Sequence, residues 1–140
     1  MLKSRKRVLL DNKPERGQSL IEMALILPAL ILILMGILDL GRAYYSMVVL
    51  NDAAAEGAAY AAIYPAREQQ IKERAADSTR ALVQLTPDMV TVEYEKTPVS
   101  SGDMITVTVE FEYMLMTPVI NAFVPGGSLS MKATDTRAVY

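Results

Sequence analysis

Residues 16–45 read RGQSLIEMALILPALILILMGILDLGRAYY, and the fold is decided by how that stretch is taken. From Met23 to Leu38 sixteen residues carry no charge, and extension back to Ser19 gives twenty residues with one, Glu22. A helix of twenty residues rises about 30 Å, the hydrocarbon thickness of a bilayer. A soluble helix apolar on every face needs a large protein around it, and the whole chain has 140 residues. The stretch therefore reads as a membrane span.

Charge on either side of the span is uneven. Residues 1–17 carry six basic groups against two acidic ones, a net of +4, and the remaining eight basic and fourteen acidic groups give the rest a net of −6. Lys and Arg close to the N-terminal end of a span keep that end in the cytoplasm and send the C-terminal body across. Nucleic acid is not the expected partner. The basic segment is short, lacks interleaved aromatics and runs straight into apolar sequence. The chain has no Cys and no His, which excludes a disulfide framework, a thiol nucleophile, a His base, and zinc or haem held by either residue.

An ordinary secretory signal has an apolar stretch of about 7–15 residues and a small-residue cleavage site after it. Here the apolar stretch is longer, and the distinctive residues lie before it: Arg16-Gly17-Gln18-Ser19-Leu20-Ile21-Glu22. Gly17 lets the backbone lie close in a protease cleft. A carboxylate within a span costs about 2.5–3.5 kcal/mol at the centre and less at the edge, so Glu22 calls for a cationic partner or a solvated place at the interface. Spacing i,i+4 puts Gln18 and Glu22 on one helical face.

A Gly after a basic leader, then a Glu five residues on, then hydrocarbon, resembles the class III leader of type IV pilin-like proteins. The resemblance implies that prepilin peptidase cuts between Gly17 and Gln18, leaving Glu22 as the family's assembly carboxylate. The ammonium so created on Gln18 could meet Glu22 within one chain or between neighbours, and the family's staggered filaments favour the second. The series that follows resembles the TadE-like branch. It contains Pro28, then Gly36, Asp39, Gly41 and Arg42, then Tyr44 and Tyr45, then an Ala-rich helix with Glu56-Gly57-Ala58.

Other readings come from the residues alone. Pro28 removes a donor and crowds the preceding turn. It is expected to kink or locally break the helix, as a flexible point or as a plain bend. Asp39 and Arg42 can pair on one face at the membrane exit, with Tyr44 and Tyr45 as the aromatic belt. The run DAAAEGAAYAA, residues 52–62, favours continued helix and close approach of another helix, from this chain's own body or from a neighbour. Tyr64-Pro65 should end the helix.

Beyond it, residues 66–85 have helical period, with Ile71, Ala75, Leu82 and Leu85 on one face. Period two follows. Val90, Val92 and Tyr94 alternate with polar residues, as do Ile105, Val107, Val109, Phe111 and Tyr113, and a hairpin is expected. A third strand from Ser128 to about Val139 places Leu129, Met131 and Ala133 on one face. Between the last two strands, Thr117-Pro118 reads as a helix start and Pro125-Gly126-Gly127 as its stop. This apolar segment is expected either to pack under the sheet or to form a patch for a partner.

The expected fold is therefore α+β and pilin-like, with a long membrane-spanning N-terminal helix, a second helix and a three-stranded antiparallel sheet. Its parts are a cleaved leader (1–17), the span and extended helix (18–64) and an extracytoplasmic head (65–140). No catalytic constellation, metal-ligand cluster or cofactor motif is expected. Glu93, Glu95, Glu110 and Glu112 could oppose one another across the sheet and draw calcium, but a solvated face explains them more simply. The chain is expected to be a non-enzymatic structural subunit of a Tad-type (type IVc) pilus, a minor pilin or pseudopilin. Its partners would be prepilin peptidase, other pilin-like subunits and the cytoplasmic membrane, with passage into an extracellular filament. One alternative is a permanently anchored single-pass protein whose head binds a partner without polymerising. A second is the main filament subunit.

Overall fold

A computed structural model describes residues 16–77, 83–117 and 127–140. The first helix, α1, runs Arg16–Ile63. At 1.5 Å per residue its 48 residues reach about 72 Å. It stays helical through Pro28, so the local break considered for that position does not form. A Pro inside a helix lacks one donor and leaves one carbonyl free, a defect that membrane helices accommodate.

The helix ends where the Tyr64-Pro65 step requires. The Tyr64 amide still reaches Tyr60 O at 2.9 Å, and the chain then turns, with the Arg67 amide on Tyr64 O at 3.1 Å. Tyr60 and Tyr64 stack at 5.1 Å between ring centroids, and the Arg67 guanidinium lies 4.7 Å over the Tyr64 ring. The second helix, α2, runs Glu68–Asp77 and buries Ile71, Ala75 and Ala76. It is shorter than the 66–85 stretch with helical period. Val83 and Leu85 are buried in the core without being helical, and Leu82 lies outside the described residues.

After a single 3-10 turn, Pro87–Met89, the sheet follows: β1 (Val90–Tyr94), β2 (Met104–Met114) and β3 (Ser128–Ala138), in the order β1-β2-β3. Both pairings are antiparallel, with Val90 opposite Val109 and Val109 opposite Ala133. The link between β1 and β2 turns at Gly102, whose φ of 94° only a residue without a Cβ adopts easily. The β1–β2 hairpin and all three strands thus follow the expected alternation. Leu129 is the exception, being exposed at the start of β3 rather than in the core with Met131 and Ala133.

The core is the meeting of α1's outer half with the sheet and α2. Val49, Leu50, Ala53, Ala54, Ala58 and Ala61 from α1 pack with Ile71 and Ala75 and with Ile105, Val107 and Val109. The small-residue face therefore serves intrachain packing. Gly57 marks its tightest point, since a Cβ there would stand 3.0 Å from Ala75 Cβ and 3.1 Å from Val107 Cγ1. Strand β2 runs down α1, from Val107 beside Gly57 to Tyr113, whose hydroxyl reaches Asp39 O at 3.4 Å. Strand β3 returns upward, and the Tyr140 amide donates to Ala62 O at 3.0 Å. The head thus lies along residues 39–62 of α1, and residues 19–38 stand free of it.

Candidate functional site

The expected site residues fall into two groups along α1. The first lies at its N-terminal end. Gly17 is in the first turn of the helix, with no atom within 4 Å of where a Cβ would be. One turn on, Gln18 Nε2 donates to Glu22 Oε1 at 3.2 Å, so the i,i+4 face expected for this pair is present. Both side chains are exposed, as is the helix from Ser19 to Leu38, with only Met35 and Gly36 half-covered. A stretch of that length and composition, with none of it buried, is suited to a membrane. The leader, residues 1–15, lies outside the described residues.

The second group is at the membrane exit, and here the expected pairing is corrected. Asp39 forms no ion pair with Arg42. Its side chain turns into the head and is almost wholly buried. Its carboxylate accepts from the Thr117 amide at 2.8 Å and from the Met116 amide at 3.4 Å. The Arg42 guanidinium instead donates to the Met116 sulfur. Two fixed amides at the end of β2 hold a carboxylate better than one flexible guanidinium at the surface does, because ordering the long side chain costs entropy.

Asp39 is one residue past the span, and its carboxyl is held below the ordinary carboxylate range. The Thr117 hydroxyl lowers it most, the amides of Thr117 and Met116 add to this, and Arg42 adds a little, while burial opposes them. Thr117 is itself buried beside the carboxylate. Tyr44 and Tyr45 are exposed on α1 just beyond the exit, where aromatic residues favour a membrane interface.

The carboxylates considered for calcium do not gather. Register puts Glu93 opposite Thr106 and Glu110 opposite Lys132, whose ammonium pairs with Glu110 at 3.2 Å. Among the described residues no group of three acidic side chains is placed to hold a metal ion. The helix start expected at Thr117-Pro118 and its stop at Pro125-Gly126 lie outside the described residues beyond Thr117.

Away from the core, α1 borders an open groove lined by Asp52, Ala55, Glu56 and Ala59 with Arg74, Asp77 and Arg137. Arg74 and Glu56 pair across it at 3.0 Å. Its mixed charges leave no convergent set of catalytic groups.

Residues 17–59 match the family model described as TadE-like protein. Over those residues the long helix is similar to that family. The match begins at Gly17 and covers the span, the exit residues and most of the small-residue face, while the second helix and the sheet lie beyond it. No curated protein and no solved structure matches the chain. The Asp39 contact is what sequence reasoning missed. An acid directly after an apolar span was the available signal, but the partner amides lie 77 and 78 residues away.

Proposed function

We propose that the chain is a non-enzymatic, TadE-like minor pilin or pseudopilin. It is inserted as a single-pass protein with its C-terminus outside, clipped after Gly17 by prepilin peptidase, and built into a Tad-type pilus or its membrane platform. The observation that carries this reading is the exposed apolar helix from Ser19 to Leu38, broken only by Glu22 with Gln18 one turn behind it. A solitary carboxylate in such a helix is costly, and a new ammonium on Gln18 offsets that cost when it approaches. Within one chain the two residues already share a face. Between staggered chains, the Gln18 ammonium of one subunit would meet Glu22 of another and set the stagger. The apolar helices pack together, and the head forms the outer surface.

Mass spectrometry of the mature chain tests the processing step and is expected to give an N-terminus at Gln18. A working assembly whose subunit still begins at Met1 would refute it. Glu22→Ala is expected to leave processing intact and to abolish incorporation into pili. Normal incorporation would remove the paired-carboxylate mechanism. Gel filtration and imaging of the clipped chain distinguish a polymerising subunit from a permanently anchored one.

A further inference from the structure

We propose that the lower rim of the head is a membrane-seating surface, with Met114, Met116 and Leu129 entering the lipid interface beside the point where α1 leaves the bilayer. This rests on the reading that residues 19–38 cross the membrane.

Height is the first argument. Asp39 to Arg42 lie about 1.5–6 Å past Leu38 along the helix axis. The headgroup layer is about 5–7 Å deep on each side of the hydrocarbon, so these residues stand within it. Met116 is held to both of them, through its amide to Asp39 and its sulfur to Arg42. Tyr113 is held to Asp39 as well, and its register partner is Leu129. The end of β2 and the start of β3 are therefore fixed at headgroup depth by contacts with the anchor.

Polarity is the second argument. Higher up, the outer face of β2 and β3 carries Thr106, Thr108, Glu110, Thr134, Thr136 and Lys132, and two Thr pairs hydrogen-bond across it at 2.9 and 3.2 Å. Around the last two rungs this changes. Met114 is 78% exposed on the outer face, Met116 is 62% exposed just after the strand, and Leu129 is 46% exposed on the inner one. Leu40 and Tyr44, 71% and 74% exposed, stand on α1 within two turns of the same level. Exposed apolar side chains thus gather at the edge nearest the bilayer, while at the opposite end of the outer face Met104 is 41% exposed. A lipid interface accepts such side chains, and Met, unbranched and adaptable, suits an irregular surface. The seat would set the tilt of the head on the membrane before any assembly.

The chain has no Trp, so single replacements report their surroundings cleanly. Full-length Met114→Trp and Leu129→Trp are reconstituted in phosphatidylcholine vesicles containing acyl-brominated lipid, with Leu30→Trp as the span reference and Tyr140→Trp as the far-end reference. Tryptophan at 114 and 129 is expected to emit to the blue of that at 140 and to be quenched several-fold more strongly by brominated lipid, though less than at 30. If position 30 is quenched while 114 and 129 behave like 140, the span stands and the seating is overturned. If 114 and 129 shift blue only as protein density rises, without lipid quenching, a second copy covers the rim and the seating is again overturned. If position 30 escapes quenching, the span reading fails and takes the seating with it.

Discussion

The Thr117 amide donates to the Asp39 carboxylate at 2.8 Å across 78 residues of chain, and this bond fixes where the head stands on its helix. Above it, α1 is covered on one side by the sheet and α2. Below it, the helix is bare. A carboxylate in the first turn beyond an apolar span is thereby converted from a surface charge into a clamp between anchor and head.

Removing that clamp should loosen the base of the head. Asp39→Ala leaves two amides without their acceptor, a loss of about 1–3 kcal/mol for buried donors. Asp39→Asn keeps one acceptor oxygen and should recover part of it. Hydrogen exchange at Met116 and Thr117 in the full chain in detergent reads this directly, with faster exchange expected in both variants and fastest in Ala. Unchanged protection of both amides in Asp39→Ala would mean that packing alone holds the junction.

Titration should weaken the fold at both ends of the pH scale. The folded Asp39 carboxyl lies below its unfolded value near 3.8. Its contribution is therefore fully present above that value and is lost as pH falls through the lower, folded one. Tyr94 and Tyr113 shift the other way, raised above 10.0 chiefly by burial. Their contribution is present below pH 10 and is lost as pH rises through the raised values. Denaturation midpoints should be flat across neutral pH, fall in strong acid with wild type but much less with Asp39→Asn, and fall above pH 10. Ultraviolet titration should show Tyr94 and Tyr113 ionising above pH 10.

Local pattern made much of this architecture legible. Val90, Val92 and Tyr94, and Ile105 to Tyr113, alternate because one sheet face is buried and the other wet, and that period is written in the chain. The end of α1 follows from Pro65, and the bare span from composition. What failed to show were contacts made at long range. Arg42 looked like the partner of Asp39 because it is three residues away, yet two distant amides took the carboxylate. Leu129 has the right parity for the core but sits next to the last rung of the sheet, where it is exposed although its register partner Tyr113 is buried. The Gln18–Glu22 face was legible because both residues lie on one helix.

Gly57 is where α1, α2 and β2 approach most closely, and Gly57→Ala sets two effects against each other. Ala in place of Gly favours the helix by about 1 kcal/mol. Overpacking costs about 1–3 kcal/mol, and Ala75 Cβ at 3.0 Å is fixed to its own backbone, so α2 must move. The expected net is a destabilisation of about 1 kcal/mol, larger for Gly57→Val. Adding Ala75→Gly to Gly57→Ala removes the nearer contact, so the double variant should be more stable than the two single losses sum to. Additive losses in urea unfolding would show that Val107, not Ala75, sets the limit.

Gly17 separates folding from processing. It lies on the helix surface with open space around its Cβ position, so the fold itself does not require glycine there. Gly17→Val should leave the head's thermal midpoint and the exchange pattern around Asp39 unchanged. A protease cleft that takes the backbone closely has no such tolerance, because a branched side chain holds the two chains apart. Cells carrying Gly17→Val should accumulate the chain at full length, still bearing its six basic leader charges, and Gly17→Ala should be cut more slowly than wild type. Immunoblotting with mass spectrometry of the N-terminus reads both. Normal cutting of Gly17→Val would mean that the peptidase recognises another bond or none, and the Gln18 ammonium that is to meet Glu22 would have no source.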